Sequence, residues 1–167
     1  MPKKIPYFSD KTLYRCGAVS SRMALAYFGI KKTEKELVAV LGTSLEQGTD
    51  PEKIKTLFEK CELETHFVSN KKSPRKTFKS IQNYLEKDYL VICFVNRLVY
   101  DKKTPFIDTK TQWEHENYSS HYIVAYRIED GRVFFNDPHE LVGEAVLDTD
   151  TFQDALLEVF IAVKKLK

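Results

Sequence analysis

The hydrophobic period of this sequence changes once, near residue 89, and that change limits what the chain can fold into. Before it, apolar residues recur at helical spacing. Gly17 to Phe28 carries them at 18, 19, 23, 26 and 27, with Gly29 where a left-handed residue ends a helix. Thr33 and Glu36 form a capping-box pattern ahead of Leu37, Val40 and Leu41, and Gly42 marks the stop. Asp50 or Thr49 can cap a third helix at Pro51, whose buried stripe is Ile54, Leu57 and Phe58. Residues 74 to 87 give a fourth, with Phe78, Ile81 and Leu85 on one face. Beyond residue 89 the pattern is that of strands: Tyr89 to Val95, His121 to Ile128, Arg132 to Asn136 and Val159 to Val163. Thr65 to Phe67 reads as a short strand between helices. Helices first and an antiparallel sheet after is an α+β order, which leaves a cleft between its halves.

The chain has 167 residues, 43% of them hydrophobic, enough for one well-buried core and short for two. One domain over residues 1–167 is expected. Lys plus Arg total 26 against 24 for Asp plus Glu, a near balance that removes the electrostatic case for nucleic acid or an anionic membrane. The densest basic stretch, at 71, 72, 75, 76 and 79, solvates a helix face. No apolar run of about 7–15 residues follows the N-terminal lysines, so no secretory signal is read. No roughly 18-residue apolar stretch is present to span a bilayer. A cytoplasmic location is the expectation. Three cysteines at wide spacing argue against a disulfide framework and a CxxC metal site.

Cys16 directly precedes Gly17 at the start of the first long helix, where unpaired N–H groups and the positive end of the helix dipole converge. That position stabilises a thiolate. The same N–H groups can stabilise an oxyanion on an attacked carbonyl. A cysteine in an amphipathic first turn, taken alone, is more often a small core residue. The second half supplies what a nucleophile needs: His121 opens a strand and Asp137 closes the next, in Asn136-Asp137-Pro138.

The turn between those strands decides whether the two side chains can meet. A two-residue turn at Asp130-Gly131 pairs Glu129 with Arg132 and Val124 with Asp137, which puts Asp137 on the face opposite His121. A three-residue loop, Glu129-Asp130-Gly131, pairs Ile123 with Asp137 and makes His121 and Asp137 diagonal neighbours roughly 7–8 Å apart at their backbones. The three-residue bulged loop is predicted.

The other histidines offer less. His66 sits in the short strand, His139 in a turn past Pro138, and His115 on a long aperiodic stretch from 97 to 120 that also holds Tyr100, Pro105, Phe106, Trp113 and Tyr118. With no HExxH and no ligand cluster, neither a metal nor a cofactor is expected. Cys93 lies inside Val91-Ile92-Cys93-Phe94-Val95 and reads as core, and Cys61 as packing at a helix end.

Ile5-Pro6-Tyr7-Phe8, Tyr14-Arg15-Cys16-Gly17-Ala18, the helix to Tyr27-Phe28-Gly29, Gly48-Thr49-Asp50-Pro51, His121-Tyr122-Ile123-Val124 and Asn136-Asp137-Pro138 together resemble the peptidases that remove double-glycine leaders from bacteriocins. The resemblance spans nearly the whole chain. It implies a papain-like fold, a peptide or protein substrate, Cys16 as nucleophile, His121 as acid and base, and Asp137 as the group orienting the imidazole. Gly17, Asn136, Trp113 and the position of Asp10 are carried as substrate-side or oxyanion-side candidates. That family usually has a glutamine at the Asp10 position, donating to the oxyanion, and losing such a donor costs about 2.7–4 kcal/mol in characterised hydrolases. Either Asp10 is turned away while Gln47 or Gln112 substitutes, or it is held protonated, or the protein is slow or non-hydrolytic. Three functions stay open: a thiol hydrolase, an acyl or amide transferase using the same thioester, and a peptide-binding module without chemistry.

Overall fold

The structure is a computed structural model, which describes residues 4–12, 14–70, 73–97, 99 and 120–166. Trp113, Gln112 and His115 lie outside the described residues, as does nearly all of the 97–120 stretch.

Four helices start where side-chain chemistry tells them to. In α2 (Glu34–Leu41), Thr33 accepts from Glu36 N–H while the Glu36 carboxylate accepts from Thr33 N–H, the predicted reciprocal box, and Gly42 closes the helix at φ 60°. Asp50 caps α3 (Pro51–Lys60) and Ser73 caps α4 (Pro74–Glu86), each with proline in the first turn. A short fifth helix, α5 (Thr149–Ala155), is capped by Asp148. Among these five described helices, only α1 (Cys16–Tyr27) starts with no side-chain cap, on Arg15.

The strands are β1 (Leu63–Ser69), β2 (Leu90–Asn96), β3 (Ser120–Glu129), β4 (Arg132–Asp137), β5 (Gly143–Asp148) and β6 (Leu156–Lys165). They form a six-stranded sheet in the order β1-β6-β2-β3-β4-β5, antiparallel at every pairing. Alternating side chains put each strand's apolar residues on both faces, so both must be covered. Leu90, Ile92, Tyr122, Val124, Ile161 and Val163 pack under α1, α2 and α3. Val91, Cys93, Ile123, Ala125, Phe135 and Ala162 pack under α4 and α5. The helical half is therefore not a single layer: α1–α3 hold one face and α4 crosses to the other. Cys93 is fully buried and burial pushes its thiol well up, as its core reading requires.

The β3–β4 turn corrects the sequence prediction. Glu129 pairs with Arg132, so the loop is the two residues Asp130 and Gly131, both left-handed at φ 49° and 69°. That is the pattern of the primed turn whose twist suits a hairpin. The register nonetheless changes further on, between Ala125 and Arg127, where Tyr126 is the extra residue of a β-bulge. Val124 consequently faces Asn136, and Asp137 follows on the same register as Ile123. The bulge does in mid-strand what a longer loop would have done at the turn.

Replacing Gly131 by alanine tests the turn alone, because nothing lies within 4 Å of where its Cβ would stand. The left-handed φ should cost about 1–2 kcal/mol in chemical denaturation, with the alkylation rate of Cys16 unchanged.

Candidate active site

The uncapped end of α1 carries Cys16. Val19 N–H reaches back to Arg15 O (2.9 Å), and the N–H groups before it have no helical carbonyl to bond. No acidic side chain occupies that first turn. The local positive field is thus left for whatever sits beside the sulfur. Cys16 is 9% exposed and lines a cleft of about 440 Å³ with Tyr14, Leu45, Glu46, Gln47, Gly48, Thr49, Phe94, Ser120 and Tyr122.

His121 Nε2–H donates to Asp137 Oδ1 at 2.7 Å, with Asp137 wholly buried. The imidazole also stands near enough to Cys16 for the sulfur's charge to act on it. With Nε2 committed to the carboxylate, Nδ1 is the nitrogen left for the sulfur. Burial alone would push this imidazole down. The negative charge of Asp137, then that of Cys16, and the hydrogen bond to Asp137 outweigh it and raise His121 from 6.5 to about 10.

Asp137 is held from a second side. Its Oδ1 also accepts from His139 N–H at 2.7 Å. The N-terminal segment then clamps the same turn: Asp10 N–H donates to Pro138 O (2.6 Å), Tyr7 Oη–H to His139 O (3.2 Å) and Asn136 Nδ2–H to Ile5 O (3.4 Å). His139, set aside on sequence, is buried here, its Nδ1 accepting from Leu141 N–H (3.2 Å). Burial, then the Arg97 charge, lower it to about 4, so a neutral imidazole stands beside the pair at ordinary pH.

Helix α1 is pinned to β3 by groups the sequence reading missed. Ser20 Oγ–H donates to Tyr122 O (3.2 Å), and Tyr122 Oη–H donates to Thr49 O (2.9 Å). Gly17 sits so tightly there that a Cβ would stand 2.6 Å from Thr49 Cβ and 3.0 Å from the Tyr122 ring. The signal available was hydroxyl residues at 49 and 122 inside recognised motifs and at 20 in the helix after Cys16.

Of the remaining candidates, Asp10 is buried and turns its Oδ1 to Thr12, accepting from both N–H and Oγ1–H at 2.7 Å. Burial holds its carboxyl above the usual range, against the Thr12 hydrogen bonds that lower it. Asn136 ties down the N-terminal segment through its amide. Gln47 lines the same cleft as Cys16. His66, in β1, contacts Glu64 (3.2 Å) and the Tyr89 hydroxyl (3.4 Å) beside a separate surface cavity. Among the described residues, no group of three or more His, Cys, Asp or Glu could hold a metal ion, and no helix is long and apolar enough to cross a membrane.

The fold is that of the papain-like cysteine peptidases. A double glycine motif protease from an AMS/PCAT transporter, solved in complex with the leader peptide, is similar at TM-score 0.70 and 17% identity, covering 99% of this chain and 94% of that one. The peptidase domain of Streptococcus ComA, a bifunctional ABC transporter in a quorum-sensing pathway, is similar at TM-score 0.72 and 16% identity, covering 98% of this chain and 100% of that one. Among curated proteins, no sequence matches. The chain belongs to the Peptidase_C39 like family, which it matches over residues 2–166, and its function is of the cysteine-peptidase type.

Two outcomes follow from this geometry. Gly17→Ala should lose about 1–3 kcal/mol in thermal or chemical unfolding, since neither Thr49 nor Tyr122 can move without breaking their bond. In an NMR titration, His121 should stay protonated through neutral pH and lose its proton near 10, and Asp137→Asn should move that midpoint down. Because the folded value is raised, the stability it contributes is full below about 6.5 and fades as pH climbs through about 10.

Proposed function

We propose that this chain is a single peptidase domain that cleaves a peptide bond through a thioester on Cys16. The observation that carries the reading is one imidazole bonded to a buried carboxylate and acted on by the charge of a sulfur at an uncapped helix end. The thiol proton is already held on His121 Nδ1 as an imidazolium, and the sulfur attacks the substrate carbonyl carbon. The carbonyl oxygen becomes an oxyanion, which the free N–H groups at the start of α1, Gly17 among them, stabilise. The Gln47 side-chain amide, on the same cleft, is the second donor.

His121 then returns its proton to the leaving amine, the C–N bond breaks and a thioester remains. Water, deprotonated by the same imidazole, hydrolyses it and restores the thiol. Asp137 keeps the ring in the orientation that presents Nδ1 to the sulfur. Asp10, with one oxygen engaged by Thr12, takes a structural part and does not replace the glutamine. The similar protease solved with a leader peptide favours a peptide substrate, with a double-glycine sequence as the first to try.

Peptides containing Gly-Gly, assayed by mass spectrometry, test this. Cys16→Ala and His121→Ala should abolish cleavage in folded protein, and Asp137→Asn should slow it by about 10²–10⁴. Full activity in either alanine variant contradicts the mechanism. Products carrying an added amine in place of hydroxide would move the reading to acyl transfer.

A further inference from the structure

The cleft wall that carries Gln47 also presents two side chains, Leu45 and Glu46, that the reaction above does not use. Residues 44–48 form a closed miniature hairpin in which Ser44 N–H donates to Gly48 O (3.1 Å) and Gly48 N–H to Ser44 O (2.8 Å). Gln47 N–H adds a bond to Ser44 Oγ (3.2 Å). Gly48, at φ 64°, supplies the left-handed residue that closes so short a loop. Its base is fastened by the Thr43–Thr49 hydroxyl contact (2.8 Å) and by Tyr122 on Thr49. The tip, Leu45-Glu46-Gln47, is therefore held at a fixed place relative to the sulfur.

The tip is more than a turn needs. Leu45 is 54% exposed, a large apolar side chain turned to solvent at the cleft rim, opposite Phe94, Tyr14 and Tyr122. Glu46 is exposed and makes no hydrogen bond or ion pair among the described residues. It is the one carboxylate among the described residues lining this cleft, where no Lys or Arg is found. The nearby Arg15 is taken by Glu34 (3.0 Å). A carboxylate on a fastened backbone with no counter-charge among the described residues, set beside an exposed apolar group, matches a substrate that brings both complements.

We propose that Leu45 and Glu46 are specificity-determining residues that select peptides carrying a Lys or Arg side chain next to an apolar residue near the scissile bond. The inference rests on the cleft being the peptidase site proposed above. An exposed ion pair is a modest discriminator, so the preference is one of severalfold and fades with salt.

The test uses quenched-fluorescent peptides built around Gly-Gly, with Lys, Ala or Glu placed at each flanking position in turn. Cleavage counts only where Cys16→Ala lacks it. At one position the wild type should prefer Lys over Ala by about two- to fivefold, the ratio approaching one at high salt. Glu46→Gln should remove that preference, and Glu46→Lys should transfer it to the Glu peptide. Leu45→Ser should weaken the preference for an apolar neighbour. Identical ratios in wild type and both Glu46 variants would overturn the specificity claim while leaving Cys16-dependent cleavage intact. No Cys16-dependent cleavage of any peptide would overturn both.

Discussion

The 2.7 Å contact between His121 and the fully buried Asp137 is the constraint around which the rest is arranged. A carboxylate taken from water costs several kcal/mol unless its lone pairs are filled and a positive charge stands close. Here one oxygen accepts from both the imidazole and His139 N–H. Keeping those donors aligned requires the Asp137–His139 turn to be immobile, which is why the N-terminal segment, from Ile5 to Asp10, lies against it. Groups 131 and 132 positions apart in the sequence are thus tied into one unit.

That unit only matters because α1 delivers a sulfur to it. Docking of α1 on β3 depends on absent atoms as much as on present ones: Gly17 lacks the Cβ that would collide with Thr49. It also depends on Tyr122, whose main-chain oxygen receives Ser20 and whose hydroxyl reaches Thr49. The same tyrosine therefore sets the helix, the cleft floor and the base of the 44–48 hairpin. The sulfur and the 44–48 hairpin thus rest on one frame.

Much of this was legible in the sequence wherever a local rule decides the outcome. Thr33 with Glu36, Asp50 with Pro51, and Gly42 mark helix ends through short-range bonds, and the structure keeps them. The six-strand sheet was less visible. β5, with Ala145, Val146 and Leu147 as its apolar residues, is an edge strand too short and polar to declare a period, and α5 has only two turns. The β3–β4 hairpin is the instructive case: the registration of Asp137 with Ile123 was anticipated, but its cause was placed at the turn. A bulge at Tyr126 leaves no composition signal, because the extra residue is an ordinary β-former within a run that reads as strand throughout. His139 escaped notice for a related reason, since burial of a turn residue comes from a distant segment folding over it.

The central claim is that the sulfur at the head of α1 becomes covalently acylated, and trapping that species measures it directly. Wild-type protein mixed with a cleavable peptide, quenched in acid within the first turnover and measured by intact mass, should gain the mass of the acyl fragment. Fragment mapping should place it on Cys16, and hydroxylamine should remove it. Cleaved peptide with no adduct at any time within that turnover, or an adduct on Cys61 or Cys93 in its place, would contradict the account.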